Sequence, residues 1–346
     1  MIRTEYYKDL TGMNTFGMKV KARCFIEYDS VADLVDIEFE ELARPVLHIG
    51  GGSNLLFTDD FKGTVLHSKI DFIEIIDEGQ DVLVSAGSGV VFDDLCEWAA
   101  REGLWGVENL SYIPGEVGAS AVQNIGAYGV EVKDVIRTVF CYDTVEEEFV
   151  KFDVSECGYG YRDSIFKKPE IRGRYIVTHV VFALSRTACP KLEYGHIKDA
   201  VTAASAGGSL TPALIRKVII KTRKEKLPEP SVMGSAGSFF KNPVIDTAHF
   251  LRIEEAAKAE HGPDFKVPHY DLPDGMVKVP AAWMIEQCGW KGRRSGGAAV
   301  YDKQPLVIVN YTGEAYPEEI IGLERRIIAS VKEKFGVELH PEVDHI

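Results

Sequence analysis

The hydrophobic and polar positions of the chain follow strand-like and helical periods in turn. In the N-terminal part, Pro45-Val-Leu-His-Ile49 predicts a short buried strand, and the pattern from Thr64 to about Ser85 predicts two strands joined by a turn. Apolar residues at helical spacing over 92–99 predict a helix. Further strands are predicted at Val135–Tyr142 and Tyr175–Leu184.

Helical spacing dominates the C-terminal part. A helix is predicted to begin at Thr211-Pro212, because proline is favoured in the first turn of a helix. Further helices are predicted from Asp246 to about Glu260, from Pro280 to Cys288 and from Pro317 to Phe335. The sequence therefore predicts an α+β fold class.

The change of pattern also predicts how the chain is divided. Its 346 residues favour two or three packed domains over one. Residues 203–209 are small and glycine-rich and predict a linker, so we expect the main boundary within residues 186–210.

Composition and charge narrow the class of protein. A hydrophobic share of 45% and a charged share of 27% are typical of globular proteins. No apolar run approaches the roughly 20 residues that a spanning helix needs, and the first residues lack the apolar core of a signal peptide. The net charge of −14 argues against a broad nucleic-acid surface. We therefore expect a cytoplasmic protein with no nucleic-acid or membrane partner.

The cysteines and histidines do not suggest a metal site. Six cysteines are scattered along the chain without a Cys-x-x-Cys pair, and the nine histidines include no His-Glu-x-x-His motif. We expect all six cysteines to be buried thiols and expect no catalytic metal.

Two glycine-rich segments are candidates for binding phosphate. Gly50-Gly-Gly-Ser-Asn54 follows the first predicted strand, and four glycines lie in the segment from Gly115 to Gly129. Glycine lets successive backbone N–H groups point at one anion, so a pair of such loops suits a dinucleotide. A hairpin turn and a tight structural crossover are the alternative interpretations. Neither segment has the Gly-x-Gly-x-x-Gly spacing of a Rossmann site.

Three further features have a structural and a functional interpretation. Arg162, flanked by aromatic residues, either covers a ring at the surface or binds a carboxylate or oxyanion. The basic run over residues 216–226 is either a solvated helix face or an attraction for a phosphorylated ligand. Serines in residues 234–243 precede two phenylalanines without the Gly-x-Ser-x-Gly motif of a hydrolase, although a serine can still donate a proton.

Taken in order, these segments resemble the MurB family, the UDP-N-acetylenolpyruvoylglucosamine reductases of peptidoglycan synthesis. The resemblance extends from Asn14-Thr-Phe-Gly17 to the C-terminus. Its motifs are Gly50-Gly-Gly-Ser-Asn54, Ile113-Pro-Gly115 with Gln123-Asn-Ile-Gly-Ala-Tyr-Gly129, Tyr161-Arg-Asp-Ser164, Gly237-Ser-Phe-Phe-Lys-Asn-Pro243 and Pro341-Glu-Val343. Leu192-Glu-Tyr-Gly195 resembles the tyrosine-loop branch of the family.

The resemblance implies a fold and a cofactor. It implies an FAD-binding domain of the vanillyl-alcohol-oxidase-like (PCMH) type over residues 1–186, in two subdomains of about 1–67 and 68–186. A substrate-binding domain would cover 205–346, with residues 337–346 returning to the flavin site. The first glycine-rich loop contains no histidine that could link a flavin, so we expect non-covalent FAD, with NADPH as co-substrate.

The resemblance also implies a reaction and its catalytic residues. A hydride would pass from flavin to the vinyl carbon of UDP-N-acetylglucosamine-enolpyruvate, and the product would be UDP-N-acetylmuramate. Arg162 and Glu342 would stabilise the charge that develops on the enolpyruvyl carboxylate, and Ser238 would protonate the adjacent carbon. The partner is a UDP-sugar, and we expect a monomer.

Motif matching implies the binding residues as well. The residues implied for FAD are Gly50, Gly51, Gly52, Ser53, Asn54, Gly115, Gly118, Ala119, Gln123, Asn124, Gly126 and Arg223. Those implied for the substrate are Tyr161, Tyr194, Lys226, Asn242 and Gln287. The chain departs from many relatives at Ala119, where some have serine, and at Asp344, where many have arginine.

Two alternatives to this reading remain open at the level of sequence. The first is an FAD-dependent oxidase of the same superfamily that acts on an alcohol or a lactone. The second is a flavin- or UDP-sugar-binding protein without catalysis. The presence of Arg162, Ser238 and Glu342 together argues against the second.

Overall fold

The computed structural model describes residues 1–195 and 197–346, and within them helices and strands alternate along the chain. The strands are, in chain order, β1 (Arg3–Asp9), β2 (Lys21–Tyr28), β3 (Val46–Ile49), β4 (Leu55–Leu56), β5 (Phe61–Ser68), β6 (Ile73–Glu78), β7 (Val82–Gly87), β8 (Gly126–Ala127), β9 (Val130–Glu131), β10 (Ile136–Asp143), β11 (Glu148–Asp153), β12 (Tyr175–Leu184), β13 (Gly234–Ser238), β14 (Val244–Asp246), β15 (Tyr270–Leu272), β16 (Met276–Lys278), β17 (Arg294–Ser295), β18 (Ala298–Val300), β19 (Val307–Asn310) and β20 (Asp344–His345). The helices are α1 (Val31–Val35), α2 (Phe92–Arg101), α3 (Val117–Gln123), α4 (Ile197–Ser205), α5 (Pro212–Lys226), α6 (Thr247–His261), α7 (Ala281–Gln287) and α8 (Pro317–Phe335). The predicted α+β class is confirmed.

Several predicted elements have the predicted bounds. Strand β12 and helix α8 agree with the prediction at both ends, and α5 begins at Pro212. Helix α8 has a buried apolar stripe, which includes Ile320, Leu323 and Ile327, at the helical spacing that the sequence shows.

The chain forms two compact units, which are described separately. The first unit comprises Met1–Met13, Lys19–Ser53 and Asp60–Glu225. The second comprises Asn14–Met18, Asn54–Asp59 and Lys226–Ile346. The assignment of a cofactor domain to residues 1–186 and of a substrate domain to 205–346 stays a prediction.

The segment predicted as a linker is partly helical. Helix α4 extends through Ser205, because Ile197 and Val201 are buried in a cluster with Trp105, Ile215 and Ile219. This cluster attaches α4 and α5 to the first unit. The prediction of a linker over residues 203–209 is therefore wrong for its first three residues.

Two larger sheets build the first unit. In one, with strand order β1-β2-β5-β3, β5 runs parallel to both β2 and β3, and Ile49 lies beside His67. The carboxyl ends of β3 and β5 therefore lie at the same edge of this sheet, where the chain leaves β3 into the Gly50–Ser53 turn.

The second sheet of the first unit is antiparallel and carries an extensive apolar core. Its strand order is β11-β10-β12-β7-β6. Helices α2 and α3 pack on it through buried Phe92, Leu95, Val117 and Ala121. The core thereby holds α3 and the segment that precedes it.

The second unit is organised around the sheet β13-β19-β18-β17, with a smaller sheet β14-β16-β15. The short strand β4 pairs in parallel with β20, so that Leu55 lies beside Asp344. The segment just after the glycine-rich turn and the C-terminal segment are thus neighbours in this unit.

Two composition-based expectations can be compared with the structure. Cys189 is exposed and Cys288 is only partly buried, so the prediction that all six cysteines are buried is wrong for these two. No helix of the described residues is long and apolar enough to cross a membrane.

Candidate functional site

The two glycine-rich segments of the first unit lie against each other. Ser53 Oγ donates a hydrogen bond to the carbonyl of Pro114 at 3.1 Å. A Cβ atom added to Gly51 would lie 3.3 Å from the Cα of Gly115, and one added to Gly115 would lie 2.9 Å from Ser53 Oγ. The φ of Gly115 is +114°, a conformation that residues with a side chain rarely adopt. The backbones therefore approach at a distance that glycine allows.

The second glycine-rich segment is not a loop throughout. Helix α3 occupies Val117–Gln123 within it. A Cβ on Gly118 would lie 2.9 Å from the Cβ of Ser88. The absence of a side chain at Gly118 therefore allows α3 to pack closely against Ser88, the residue after β7. The structural interpretation of the segment, as a tight crossover, thus accounts for Gly118. Ala119 is exposed and lies next to Gly50.

Arg162 joins two of the sequence motifs. Its Nη1 donates to the carbonyl of Asn124 at 3.2 Å and its Nη2 to that of Gly126 at 2.8 Å. Asn124 in turn donates from Nδ2 to the carbonyl of Gly160 at 2.8 Å. The backbone of Arg162 has a φ of +54°, which costs energy for a residue with a side chain. A guanidinium placed by backbone carbonyls in a strained turn is typical of a functional site.

The residues that precede Asn124 and Arg162 in the sequence, Gln123 and Tyr161, also make contacts. Gln123 accepts a hydrogen bond from Lys167 Nζ at 2.5 Å. The ring of Tyr161 lies 5.7 Å from the guanidinium carbon of Arg162, which is within cation–π distance. The structural interpretation of Arg162 as an arginine over a ring is therefore also present in the geometry.

Arg223 provides a second guanidinium in the same unit. It donates from Nε to the carbonyl of Tyr112 at 3.0 Å. Burial lowers the pKa of Arg223, nearby Tyr128 opposes this, and the positive charge of Arg162 lowers the pKa further. Arg223 nevertheless stays charged, since arginine does not lose its proton in proteins. Two positive charges in the same part of this unit favour the binding of an anionic ligand.

Tyr128 is a residue that the sequence reasoning did not single out. Burial raises its pKa, and Arg223 opposes this by its charge and by a hydrogen bond. Its ring packs edge-on against Tyr194 with centroids 6.1 Å apart, and Asn109 donates to its carbonyl at 3.0 Å. Its position in Gly126-Ala-Tyr-Gly129, an aromatic residue among small ones, was the available signal. Tyr194 itself is 44% exposed.

In the second unit, the structure brings the motifs of Ser238 and Glu342 together. The backbone N–H of Glu342 donates to the carbonyl of Phe239 at 2.8 Å. Asn54 Nδ2 donates to the carbonyl of Glu342 at 3.1 Å, and Asp344 N–H donates to the carbonyl of Asn54 at 3.0 Å. The backbone of Glu342 is thus held in part by Asn54, a residue 288 positions away in the sequence.

Ser238 lies at the end of β13, where the pairing is irregular. The register of β13 against β19 shifts between Ser235 and Ser238, and Gly237 has a φ of +70°. Such a bulge changes the direction of the next side chain. Ser238 and Glu342 are both half-buried, whereas Phe239 beside them is fully buried.

The remaining predicted substrate residues lie in different places. Asn242 Oδ1 accepts a hydrogen bond from Ala281 N–H at 2.9 Å, at the start of α7. Lys226 is exposed at the end of α5. Gln287 lies at the opposite end of α7, where its Oε1 is 3.0 Å from His261 Nε2, and it lines a cavity of about 470 Å³. The structure does not bring Gln287 to Asn242, so its role stays a prediction.

The first unit fits a dinucleotide. Gly50, Gly51 and Gly115 form a cradle that side chains would fill, and Arg162 and Arg223 supply positive charge. A cradle of this kind suits a diphosphate, which binds to backbone N–H groups at close approach. Among the described residues, no group of three or more His, Cys, Asp or Glu side chains could hold a metal ion.

Known proteins resemble this chain over its whole length. A family model described as "FAD binding domain" matches residues 22–146, and one described as "UDP-N-acetylenolpyruvoylglucosamine reductase, C-terminal domain" matches residues 229–346. A UDP-N-acetylenolpyruvoylglucosamine reductase of Bacteroides fragilis is 50% identical over 97% of this chain and 98% of its own. The reductase of Chromobacterium violaceum is 45% identical over 96% of each chain.

A solved structure shows the same fold. The UDP-N-acetylenolpyruvylglucosamine reductase (MurB) of Thermus caldophilus matches with a TM-score of 0.67 and covers 100% of this chain and 98% of its own. Its sequence identity is 23%, so this likeness is informative about the fold alone.

Proposed function

Because the chain belongs to the UDP-N-acetylenolpyruvoylglucosamine reductase family, we propose that it reduces the enolpyruvyl group of UDP-N-acetylglucosamine-enolpyruvate to give UDP-N-acetylmuramate. NADPH is the proposed reductant and the UDP-sugar the substrate, in a step of peptidoglycan precursor synthesis. The observation that carries this proposal is the 50% identity to a UDP-N-acetylenolpyruvoylglucosamine reductase over 97% of the chain.

FAD is the cofactor of this enzyme, as its FAD-binding domain and family membership show. When bound, FAD would supply the hydride-transfer chemistry that couples oxidation of NADPH to reduction of the enolpyruvyl double bond. We propose that Gly50–Ser53 and Gly115 hold its diphosphate through backbone N–H groups.

Arg162 is the proposed anion-stabilising residue. Addition of a hydride to the vinyl carbon leaves negative charge on the adjacent carbon and its carboxylate. The guanidinium of Arg162 is oriented by two backbone carbonyls before the substrate arrives, so it needs little reorganisation to meet that charge. Arg223, whose pKa is lowered by burial and by the positive charge of Arg162, would bind the flavin or its phosphates.

Ser238 and Glu342 are the proposed proton donor and polarising residue. Ser238 Oγ would donate a proton to the carbon next to the carboxylate, and Glu342 would polarise the enolpyruvyl group. The hydrogen bonds of the Glu342 backbone to Phe239 and Asn54 support this proposal, because they restrict where its side chain can reach. Tyr161, Tyr194, Lys226 and Asn242 are the proposed contacts to the UDP-sugar.

An anaerobic absorbance experiment tests the proposed function. Purified yellow protein should lose its flavin colour when NADPH is added and regain it when UDP-N-acetylglucosamine-enolpyruvate follows. An oxidase of the same superfamily would instead regain its colour with oxygen after reduction by an alcohol or a lactone, and would form peroxide. A protein that NADPH does not bleach would contradict the proposal and favour a binding protein.

The proposal also includes a cytoplasmic location and a monomeric state. NADPH and nucleotide sugars are held inside cells, which supports the first. Light scattering of the purified holoprotein measures the second, for which a mass near 38.4 kDa is expected.

A further inference from the structure

A chain of alternating charges runs through the first unit and ends beside the glycine-rich turn. Arg3 Nη1 donates to Glu27 Oε1 at 2.8 Å, and His67 Nδ1 lies 3.1 Å from Glu27 Oε2. On its other side, His67 Nε2 lies 3.0 Å from Glu116 Oε1. The chain therefore links β1, β2 and β5 to Glu116, the residue before α3. Neither Glu27, His67 nor Glu116 has a role in the function proposed above.

The carboxylate of Glu116 lies against Gly50, the first residue of the Gly50–Ser53 turn. A Cβ atom on Gly50 would be 3.2 Å from Glu116 Oε2 and 3.5 Å from Glu116 Cβ. Glu116 occupies the position that caps α3, but its side chain makes no capping hydrogen bond to the helix. It is only 9% exposed and faces His67 instead. An uncompensated carboxylate in this place would repel a diphosphate bound at the turn.

His67 is the group that can compensate this charge. It is 5% exposed, and burial by itself would lower its pKa, but its hydrogen bonds and its attraction to Glu116 and Glu27 outweigh burial and raise the pKa. The next histidine, His48 on β3, carries no charge near neutral pH, because burial and the charge of His67 lower its pKa to about 4.

The other groups around His67 do not replace it. Tyr28 on β2 bonds to His48 Nε2 at 2.8 Å, and burial followed by the charge of Glu116 raises its pKa. The ring of Phe25 contacts the His67 ring. Lys8 Nζ lies 5.6 Å from the centroid of this phenylalanine ring. Arg3 is engaged with Glu27. Among the described residues, His67 is therefore the group that can place a positive charge within hydrogen-bonding distance of the Glu116 carboxylate.

We propose that His67 is a positioning residue for the cofactor: in its charged form it neutralises and holds Glu116 beneath the Gly50–Ser53 turn, so that a diphosphate can bind there. This inference rests on the proposed function, which places the FAD diphosphate at that turn. It assigns to the His67–Glu116 pair the control of FAD affinity, apart from any effect on the chemical step.

The pair makes FAD affinity depend on pH. The charged form of His67 is complete below the ordinary histidine pKa of about 6.5 and is lost as the pH rises through its raised pKa. FAD affinity should therefore fall as the pH rises through that value. In Glu116→Gln the carboxylate is gone, so the same pH range should change the affinity little.

The test measures the Kd of FAD for full-length holoprotein, from the flavin fluorescence released on serial dilution. At about pH 6.5, where wild-type His67 is charged, His67→Gln should raise the Kd about tenfold or more, equivalent to about 1.4 kcal/mol of repulsion. Glu116→Gln should stay within about threefold of wild type. The double variant His67→Gln/Glu116→Gln removes both charges and should recover to within about threefold of Glu116→Gln.

The double variant separates electrostatic positioning from a general loss of structure. A merely structural His67 would give a double variant at least as weak as His67→Gln, and that result would overturn the inference. His179→Gln is the matched control, since His179 is a histidine of the same unit that stacks on Phe140 at 4.2 Å instead of bonding to Glu116. If His67→Gln does not fold, a pH profile of Glu116→Gln as steep as that of the wild type would equally contradict the inference.

The failure of the two proposals can be told apart. Wild-type protein that takes up no FAD would overturn the proposed placement of the cofactor and this inference with it. Wild-type binding of FAD with an unchanged Kd in His67→Gln would overturn the inference alone.

Discussion

Ser238 is the single residue that separates the two halves of the proposed reaction. Reduction by NADPH requires no proton from it, whereas reoxidation by substrate leaves a carbanion-like carbon that must be protonated. We expect Ser238→Ala to bleach with NADPH as fast as the wild type but to regain its colour with substrate about 10²-fold or more slowly. Stopped-flow absorbance in the flavin band measures both steps.

Ser238→Cys provides the control for this substitution. It restores a proton donor of similar size and should recover part of the reoxidation rate. Equal reoxidation rates in Ser238→Ala and wild type would show that Ser238 only permits close packing beside Phe239.

Arg162 makes a second prediction at the residue scale. Arg162→Lys keeps the positive charge but loses the planar fork that reaches the carbonyls of Asn124 and Gly126. We expect turnover with the enolpyruvyl substrate to fall by about 10²-fold or more, as for the loss of an oxyanion donor. Steady-state kcat measures this, and a wild-type kcat in Arg162→Lys would remove Arg162 from the catalytic set.

At the scale of elements, α7 depends on a side chain that is also a proposed substrate contact. Asn242 Oδ1 accepts the N–H of Ala281, one of the backbone donors that a helix start leaves without an intrahelical partner. Asn242→Ala should lower the free energy of unfolding by about 1 kcal/mol, the usual cost of losing such an acceptor. Urea denaturation of substrate-free protein measures the change.

Asn242→Asp distinguishes the two roles of this residue. The carboxylate keeps the acceptor and is favourable at a helix N-terminus, so stability should be retained. Its charge would repel the diphosphate of a UDP-sugar, and KM should rise. A variant that loses stability and keeps its KM would contradict both assignments.

At the end of β10, Asp143 is expected to make the stability of the protein depend on pH. Asp143 is buried, and although burial raises the pKa of its carboxyl, the hydrogen bonds from Arg174 and from two backbone N–H groups outweigh this and lower it. This contribution to stability is present above the unfolded aspartate pKa of about 3.9 and is lost as the pH falls through the folded value.

Asp143→Asn tests this contribution. It should lower the free energy of unfolding by about 1–3 kcal/mol near neutral pH, and its difference from wild type should shrink toward pH values of about 3. Urea denaturation at a series of pH values measures it. Glu74→Gln, at an exposed acid on strand β6 of the same sheet, is the control and should change little. A difference that grows at low pH would contradict the assigned sign.

At the scale of the whole molecule, the prediction concerns how the flavin is held. The glycine-rich turn Gly50–Ser53 contains no histidine that could form a covalent link. We expect the protein to purify yellow and to release intact FAD into the supernatant when it is denatured with acid. Chromatography of the supernatant identifies the flavin, and colour that remains in the protein pellet would refute non-covalent binding.

Local sequence patterns are sufficient to predict several of the longer elements. Helix α8 and strand β12 were predicted at both ends because each has a sustained period and a clear terminator. Helix α3 is not predicted from the sequence, because Gly118 within it is unfavourable in a helix and the surrounding glycine-rich segment indicates a loop. Buried Val117 and Ala121 stabilise it only through packing on the five-stranded sheet. The end of helix α4 is predicted as a linker because Gly207 and Gly208 follow it closely in a run of small residues.

The identity of the motif residues could be read from the sequence, since the glycines, Arg162, Ser238 and Glu342 occur in a recognisable order. Their arrangement could not, because it depends on contacts between distant segments. Asn54 reaches the backbone of Glu342 across 288 residues, and His67 meets Glu116 only because β5 ends at the same sheet edge as the turn. Sequence alone determined which chemical groups this protein has and several of its longer helices and strands. Tertiary structure decided which groups become neighbours, because hydrogen bonds and charges act over a few ångströms in space whatever their separation along the chain.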